Sequence, residues 1–410
     1  MTAARKLGQS GQKPLPYGRH VIDDADIAAV VAVLKSDYLT TGPVVAEFEA
    51  ALACTAQAKQ AVVCSNGTAA LHLAAHAFGL TPGKIAIVPS ITFVATANAL
   101  RMTGADVIFA DVDPDTGLME AHHLAEALSR CPGGRADAVF PVHLAGQCAN
   151  LPKLSKLARD NTLVIIEDAC HALGTRYRNR DGQEHAIGGC SHSDAACFSF
   201  HPVKTIAMGE GGAVTTNHAV LAEAMRRYRS HGLTRDPETF INPDSRDPQG
   251  NANPWSYEMH DWGYNYRAPD VLCALGLSQL KKLDRFTDQR SELVGEYDRL
   301  LDGFHPHVAP LARNQGCSPA WHLYVALIDF AAIGIDRATV MRRLSSVGIG
   351  TQVHYYPVHR QPYYAKRYGT LSLPGADRYY ARALSLPLYP SLTKDDVRRV
   401  IETLSRTLKP

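Results

Sequence analysis

The chain has 410 residues, of which 46% are hydrophobic and 20% are charged, and its formal net charge is +2. This composition is typical of a globular protein with a substantial core, and the length allows a large and a small domain. With 42 basic and 40 acidic residues, the charge balance gives no support for a nucleic-acid or membrane-surface partner.

The N-terminal sequence and the cysteines indicate the cellular compartment. The first 20 residues lack the apolar segment of a signal peptide, and no apolar run is long enough to span a bilayer. Nine cysteines occur without a CxxC pair, which favours free thiols in a reducing compartment over disulfides or a metal site. We therefore expect a cytoplasmic protein without a bound metal.

The predicted elements begin with an arm and a helix. Residues 1–16 are polar and contain Gly and Pro, so we expect them to form a flexible arm. Asp23 is a suitable N-cap for the first helix, on which Ile27, Val31 and Leu34 fall on one face.

From about residue 60, short apolar runs alternate with amphipathic segments. The predicted strands are residues 84–90, 105–113, 137–146 and 162–169, and the predicted helices between them are residues 69–79, 122–130 and 151–160. Such alternation is typical of an α/β fold with a largely parallel sheet and helices on both faces. Functional sites of open α/β sheets lie at the carboxyl ends of the strands.

The second half of the chain predicts a smaller domain. Residues 234–254 are polar and rich in Pro, Asp and Asn, and a loop of this length is either functional or disordered. Residues 274–301 form one long predicted helical stretch, and the remainder mixes strands and helices. We expect a large domain over residues 17–282 and a small α/β domain over residues 283–410.

Three patterns at predicted strand ends carry chemistry. "SNGTAAL" opens a helix at Gly67 and Thr68, where backbone N–H groups favour a phosphate. Glu167 and Asp168 end an apolar strand, where a carboxylate needs a positive partner. Lys204 stands between an apolar strand and a glycine turn, and a desolvated lysine can form a Schiff base with an aldehyde.

Each pattern also has an ordinary explanation. The first could be a capped helix, the second a salt bridge and the third a surface lysine. Phosphate cradle, strand-end carboxylate and lysine in this chain order together favour a pyridoxal-phosphate site.

Longer stretches then resemble a known family. "NGTAALHLA", "PSITFVATANAL", "IEDACHALG", "FSFHPVKTIAMGEGGAV" and "GYNYRAPDVLCALGLSQL" resemble the sugar-nucleotide aminotransferases of the DegT/DnrJ/EryC1/StrS family. The resemblance begins at about Pro16 and covers nearly all of the remaining chain. It implies the type I pyridoxal-phosphate-dependent transferase fold, the fold of aspartate aminotransferase, and a homodimer with shared active sites.

Other stretches are similar to one branch of the family, the transaminases of pseudaminic acid biosynthesis. They include "SHGLTRDP", "VHYYPVHRQPYY" and "ALSLPLYPSLT". That branch moves an amino group from L-glutamate to C4 of UDP-2-acetamido-2,6-dideoxy-β-L-arabino-hexos-4-ulose. Where many relatives have two threonines this chain has Ala207 and Met208, and where many have Gln it has His171. These departures leave the reaction type intact and bear on substrate selectivity.

The resemblance implies roles for particular residues. Lys204 would hold the cofactor as a Schiff base and carry the proton, and Asp168 would pair with the pyridine nitrogen. Further cofactor contacts are implied for Gly67, Thr68, Phe93, His171, Ser199 and, from the neighbouring subunit, Asn265. Substrate contacts are implied for Tyr17, Leu39, Thr40, Thr41, Gly42, His354, Tyr355, Tyr356 and Pro357.

Alternatives to this transamination remain at this point. Family members that act as sugar dehydratases carry His in place of the Schiff-base lysine, so Lys204 argues against that reaction. A regulatory role would predict a DNA-binding module, of which the sequence gives no sign. The rival substrates are other nucleotide-linked 4-keto-6-deoxy sugars, as in bacillosamine, legionaminic acid or perosamine pathways.

Overall fold

The computed structural model describes residues 13–304 and 306–409. Most of the expected arm, residues 1–12, lies outside the described residues. Residues 13–16 of this expected arm pack against the rest of the chain, because Leu15 is fully buried and its N–H donates to the carbonyl of Gly348.

The elements up to residue 228 are helices and strands in alternation. Their bounds are α1 Asp24–Leu34, α2 Pro43–Ala56, β1 Gln60–Cys64, α3 Gly67–Ala77, β2 Ile85–Pro89, α4 Val94–Thr103, β3 Asp106–Ala110, α5 Ala121–Ser129, β4 Ala138–Val139, α6 Leu151–Asp160, β5 Val164–Asp168, β6 Arg176–Arg178, β7 Glu184–Ala186, β8 Ala195–Ser199, β9 Gly212–Thr216 and α7 Ala219–Tyr228.

The elements after residue 228 are β10 Leu233–Thr234, β11 Glu258–Met259, α8 Asp270–Leu280, α9 Leu283–Leu301, β12 Val308–Pro310, β13 Cys317–Ser318, β14 Tyr324–Ile328, α10 Phe330–Ile333, α11 Arg337–Ser346, α12 Pro362–Tyr368, α13 Pro374–Arg382, β15 Ala383–Leu386 and α14 Lys394–Thr407. Short 3₁₀ turns lie at residues 132–134, 144–146, 237–239, 243–245 and 358–360. No helix in the described part of the chain is long and apolar enough to cross a bilayer.

A seven-stranded mixed sheet forms the centre of the larger part, in the order β1-β9-β8-β5-β4-β2-β3. The pairs from β8 to β3 are parallel, whereas β9 runs antiparallel to both of its neighbours. The predicted mostly parallel sheet is therefore confirmed. Its central strands are buried almost throughout, as expected for strands covered by helices on both faces.

A second core lies in the C-terminal part. Strands β12, β14 and β15 form an antiparallel sheet, and α9, α11 and α14 contribute apolar side chains to its core. The capping box at Thr393 fixes the start of α14, because the threonine side chain and Asp396 satisfy each other's backbone N–H groups.

Two sequence predictions are corrected by the structure. The stretch 274–301 is not one helix, since α8 ends at Leu280 and α9 begins at Leu283. The predicted strand 137–146 is reduced to Ala138–Val139. The proline at position 141 has no N–H to donate, and the chain turns there into the 3₁₀ segment 144–146.

Candidate active site

A cavity of about 850 Å³ opens at the carboxyl ends of β5 and β8. This is the edge of the sheet at which the parallel-strand rule places a site. Of the residues expected from the sequence, the cavity brings together Tyr17, Gly67, Thr68, Phe93, Asp168, His171, Ser199, Lys204, His354, Tyr355 and Tyr356.

Lys204 lies in a turn between β8 and β9. Its N–H donates to the carbonyl of His201 at 2.8 Å, which closes the turn and directs the chain back toward β9. Burial lowers the pKa of the Lys204 amine, although Cys170 and Asp168 act in the opposite direction. The amine has no hydrogen-bond or ion-pair partner among the described residues, so it is free to react with a group in the cavity.

Asp168 is the last residue of β5 and is buried. Thr96 donates its hydroxyl to Asp168 Oδ2 at 2.6 Å, and the N–H of Cys170 donates to Oδ1 at 3.2 Å. These two hydrogen bonds fix the orientation of the Asp168 carboxyl group, which lines the cavity and can there face a cationic ring nitrogen.

The N-terminus of α3 forms the third part of the site. Asn66 caps the helix by accepting from the N–H of Ala69 at 2.9 Å, which leaves the N–H groups of Gly67 and Thr68 without a partner in the described chain. Ser199 lies beside them, since a Cβ at Gly67 would come within 2.8 Å of the Ser199 Cβ. Two N–H groups, two hydroxyls and a helix N-terminus make a site suited to phosphate.

Histidines from two parts of the chain meet in the cavity. The N–H of Ala145 donates to His171 Nδ1 at 3.3 Å, so Nε2 carries the proton and donates to the Tyr355 hydroxyl at 2.9 Å. Burial and the nearby Lys204 lower the pKa of His171 well below its usual value. His354 bonds the Ser385 hydroxyl at 2.8 Å, and burial lowers its pKa to about 3. Both rings are therefore neutral at neutral pH.

Aromatic side chains form the opening of the cavity. Phe93 precedes α4 and is 57% exposed, so one face of its ring is open toward the cavity. Its ring centre lies 6.0 Å from that of Tyr355. Tyr17 packs against His354 with ring centres 5.6 Å apart, and Tyr356 is exposed at the rim. This arrangement provides apolar faces for a planar cofactor and a sugar.

Several residues expected at the site do not line the cavity in a single chain. Leu39, Thr40 and Thr41 are exposed, and Gly42 donates its N–H to Asp270 at 2.8 Å. Asn265 is also exposed and pairs with Ser230, whereas Pro357 is buried behind the rim. Their expected contacts stay predictions.

The structure adds residues that the sequence did not indicate. Thr96 orients Asp168, and Cys170, Tyr266 and His322 line the cavity. His322 is buried, its Nδ1 has no hydrogen-bond partner among the residues that the structure describes, and burial lowers its pKa well below the usual value. Cys170 and Tyr266 adjoin the expected residues His171 and Asn265, whereas Thr96 and His322 are far from Asp168 and Lys204 in the sequence, so no local spacing pattern links them to the site.

The groups in the cavity fit pyridoxal phosphate. An amine without a partner suits its aldehyde, Asp168 suits its ring nitrogen, and the start of α3 suits its phosphate. Together with the sheet order, these groups define a pyridoxal-phosphate-dependent enzyme.

Comparison with known proteins specifies the family. Residues 20–405 match the DegT/DnrJ/EryC1/StrS aminotransferase family, and the chain belongs to it. Over 398 residues it is 37% identical to the spore coat polysaccharide biosynthesis protein SpsC of Bacillus subtilis, covering 96% of this chain and 97% of that protein. The protein is thus a sugar-nucleotide aminotransferase that uses pyridoxal phosphate.

Solved structures agree with this assignment. Helicobacter pylori PseC, an aminotransferase of pseudoaminic acid biosynthesis, superimposes with a TM-score of 0.85 at 30% identity over 97% of this chain and 99% of that chain. The putative sugar aminotransferase Spr1654 of Streptococcus pneumoniae, in its pyridoxal-phosphate form, gives 0.84 at 27% identity over the same shares. The predicted type I fold is therefore confirmed.

Proposed function

We propose that the protein moves the amino group of L-glutamate to C4 of UDP-2-acetamido-2,6-dideoxy-β-L-arabino-hexos-4-ulose, a step toward pseudaminic acid. The unpartnered amine of Lys204, in one cavity with Asp168, is the observation that carries the aminotransfer. The similarity to Helicobacter pylori PseC over 97% of the chain supports the choice of sugar.

The residues of the cavity have distinct binding roles in this proposal. Gly67, Thr68 and Ser199 bind the phosphate, and Phe93 packs on the ring. Asp168 keeps the ring nitrogen protonated. The hydrogen bonds that it accepts from Thr96 and Cys170 hold its carboxyl group in the orientation for this contact. When bound, the cofactor supplies an electron sink for the carbon from which a proton is removed.

Lys204 is the proposed proton carrier. Its lowered pKa leaves more of the amine unprotonated near neutral pH than in a lysine exposed to water. The amine takes a proton from the carbon that bears the donated nitrogen and later returns one to C4 of the sugar. His171 is neutral and donates to Tyr355, so it orients that hydroxyl at the cavity without competing for this proton.

The rim residues are proposed to bind the sugar nucleotide. Tyr17, His354, Tyr355 and Tyr356 line one side of the cavity and come from both ends of the chain. Pro357 would act indirectly, since it is buried behind Tyr356 and supports the backbone of the rim.

We further propose that the active enzyme is a homodimer. Ile27 and Leu34 on α1 are 53% and 56% exposed, and Tyr38 and Leu39 continue this apolar surface at 56% and 51%. Large exposed apolar surfaces mark interaction sites. A second copy would cover them and would bring its own Asn265 and residues 39–42 toward a cavity.

A second candidate substrate is favoured by one observation. The identity to the spore coat polysaccharide protein SpsC, at 37%, is higher than that to PseC, at 30%. Another nucleotide-linked 4-keto-6-deoxy sugar, as in bacillosamine, legionaminic acid or perosamine pathways, is therefore the alternative acceptor.

A substrate panel tests the proposal. The protein, loaded with pyridoxal phosphate, is incubated with L-glutamate and with UDP-linked N-acetylated, dTDP-linked or GDP-linked 4-keto sugars, and 2-oxoglutarate and amino sugar are measured by mass spectrometry. We expect equal amounts of the two products and a kcat/KM at least about tenfold higher for the proposed UDP sugar, as differential contacts would give. A preference for a dTDP or GDP sugar would replace the proposed acceptor by the alternative.

A further inference from the structure

Arg290 on α9 is a buried cation without a counter-ion. Its side chain is only 2% exposed, and in the described part of the chain no carboxylate lies within ion-pair distance of it. Its Nε is buried and has no hydrogen-bond partner within residues 13–304 and 306–409. Burial lowers its pKa to about 10, so the group stays charged at neutral pH. A buried charge costs free energy unless hydrogen bonds or an opposite charge compensate it, so the acceptors of this guanidinium are informative.

The guanidinium binds the backbone that carries Lys204. Nη2 donates to the carbonyl of Lys204 at 3.1 Å, and Nη1 donates to the carbonyl of Thr205 at 3.3 Å. The planar fork of an arginine can hold two neighbouring acceptors at once, which a lysine cannot do in the same geometry. The turn that fixes the amine is therefore attached to α9.

Helix α9 itself packs in both cores of the molecule. Leu283 at its start belongs to the core that contains Phe198 and Phe200, on either side of Ser199. Leu293 and Tyr297 in its second half belong to the C-terminal core. Arg290 lies between these two sets of residues on α9. It is therefore at the junction of two parts of the chain, of which one supplies Lys204 and the other supplies His354 and Tyr355.

We propose that Arg290 is a positioning residue for Lys204. By holding the backbone of the turn, Arg290 fixes the position of the Lys204 amine relative to His354 and Tyr355, which the C-terminal part contributes to the cavity. The inference rests on the proposed role of Lys204 as proton carrier. Because a misplacement of about 1 Å can cost about a hundredfold in rate, loosening this turn slows proton transfer while leaving substrate binding largely intact.

The test uses Arg290→Met, Arg290→Lys and the control Arg285→Met, which removes an exposed arginine from the same helix. The first readout is backbone hydrogen exchange of residues 204–208 in protein prepared without cofactor. The second is the deuterium isotope effect on kcat for glutamate labelled at Cα, with kcat and KM measured separately.

We expect exchange at residues 204–208 to be at least about tenfold faster in Arg290→Met than in wild type. We expect kcat to fall between about tenfold and a hundredfold with a raised isotope effect and a KM within about twofold. The exchange rate, kcat and isotope effect of Arg290→Lys should lie between those of wild type and Arg290→Met. The same quantities in Arg285→Met should equal those of wild type. If Arg290→Met does not fold, Arg290→Lys provides both readouts.

Unchanged exchange overturns the inference. Faster exchange with an unchanged isotope effect also overturns it, because Arg290 would then hold the turn without affecting proton transfer. A wild-type protein that does not react with glutamate contradicts the proposed function instead, and the two failures are therefore distinguishable.

Discussion

Asp168 shows what one residue in a sequence can and cannot reveal. Its position after an apolar run is enough to predict a buried carboxylate at a strand end, which the structure has. The group that orients it is Thr96, which lies 72 residues earlier in the chain, on α4. Such a contact depends on packing, so it could not be read from local spacing. The same holds for His322, whose ring centre lies 4.4 Å from that of His171, and for Arg290, which donates to the carbonyl of Lys204.

Gly67 carries a prediction at this scale. An added Cβ would lie 2.8 Å from the Ser199 Cβ and 3.3 Å from the Cys170 sulfur, so the phosphate cradle would have to open. Such overpacking costs about 1–3 kcal/mol. We expect Gly67→Ala to weaken pyridoxal-phosphate binding about tenfold or more, measured as Kd by fluorescence titration.

The matched control is Gly295→Ala. Gly295 is an exposed residue inside α9, and a Cβ there meets no atom within 4 Å. Alanine forms helix better than glycine by about 1 kcal/mol, so this variant should bind cofactor as wild type does and unfold at an equal or higher temperature. Equal cofactor affinity in both variants would refute the assignment of the cradle.

At the scale of elements, the amphipathic helices and the buried strands are the part of the fold that the sequence predicts. α6 begins and ends where its apolar spacing predicts, and β2, β3 and β5 lie inside their predicted ranges. The sequence gives no sign of the break between α8 and α9, because Lys281 and Lys282 are good helix formers. The domain boundary at residue 282 stays a prediction, since α9 contributes to both cores.

The long polar stretch 234–254 illustrates a different limit. The sequence left open whether it is functional or disordered. In the structure it is enclosed by the pair β10–β11, and Glu258 accepts from the N–H groups of Ile241 and Asn242, each at 2.9 Å. The loop is therefore built by hydrogen bonds of polar side chains, among them Glu258 and Asp247, rather than by an apolar pattern that the sequence would show.

At the scale of the whole molecule, the single chain leaves apolar surface uncovered. The face of α1 with Ile27, Val31 and Leu34 was visible in the sequence, but the structure turns these side chains outward. Val33 and Asp26 are the buried residues of this helix instead. We explain the exposed face by the proposed dimer.

The dimer can be tested by adding charge to this face. Sedimentation equilibrium of wild type should give twice the mass of one chain. The double variant Ile27→Glu/Leu34→Glu should shift toward monomer and bind cofactor more weakly, because burying an unpaired carboxylate at an interface is costly. Val220→Glu, at a site on α7 that is 82% exposed, is the control and should stay dimeric. A monomeric wild type with full activity would contradict the dimer.

The most direct test of the central claim is the visible absorption spectrum of the protein with pyridoxal phosphate, before and after L-glutamate, for wild type and Lys204→Ala. Lys281→Ala is a matched control, because Lys281 is an exposed residue at the end of α8. We predict a yellow band in wild type and Lys281→Ala that glutamate removes, with release of 2-oxoglutarate, and an altered band without this reaction in Lys204→Ala. The same glutamate response in Lys204→Ala as in wild type would contradict the assignment of Lys204.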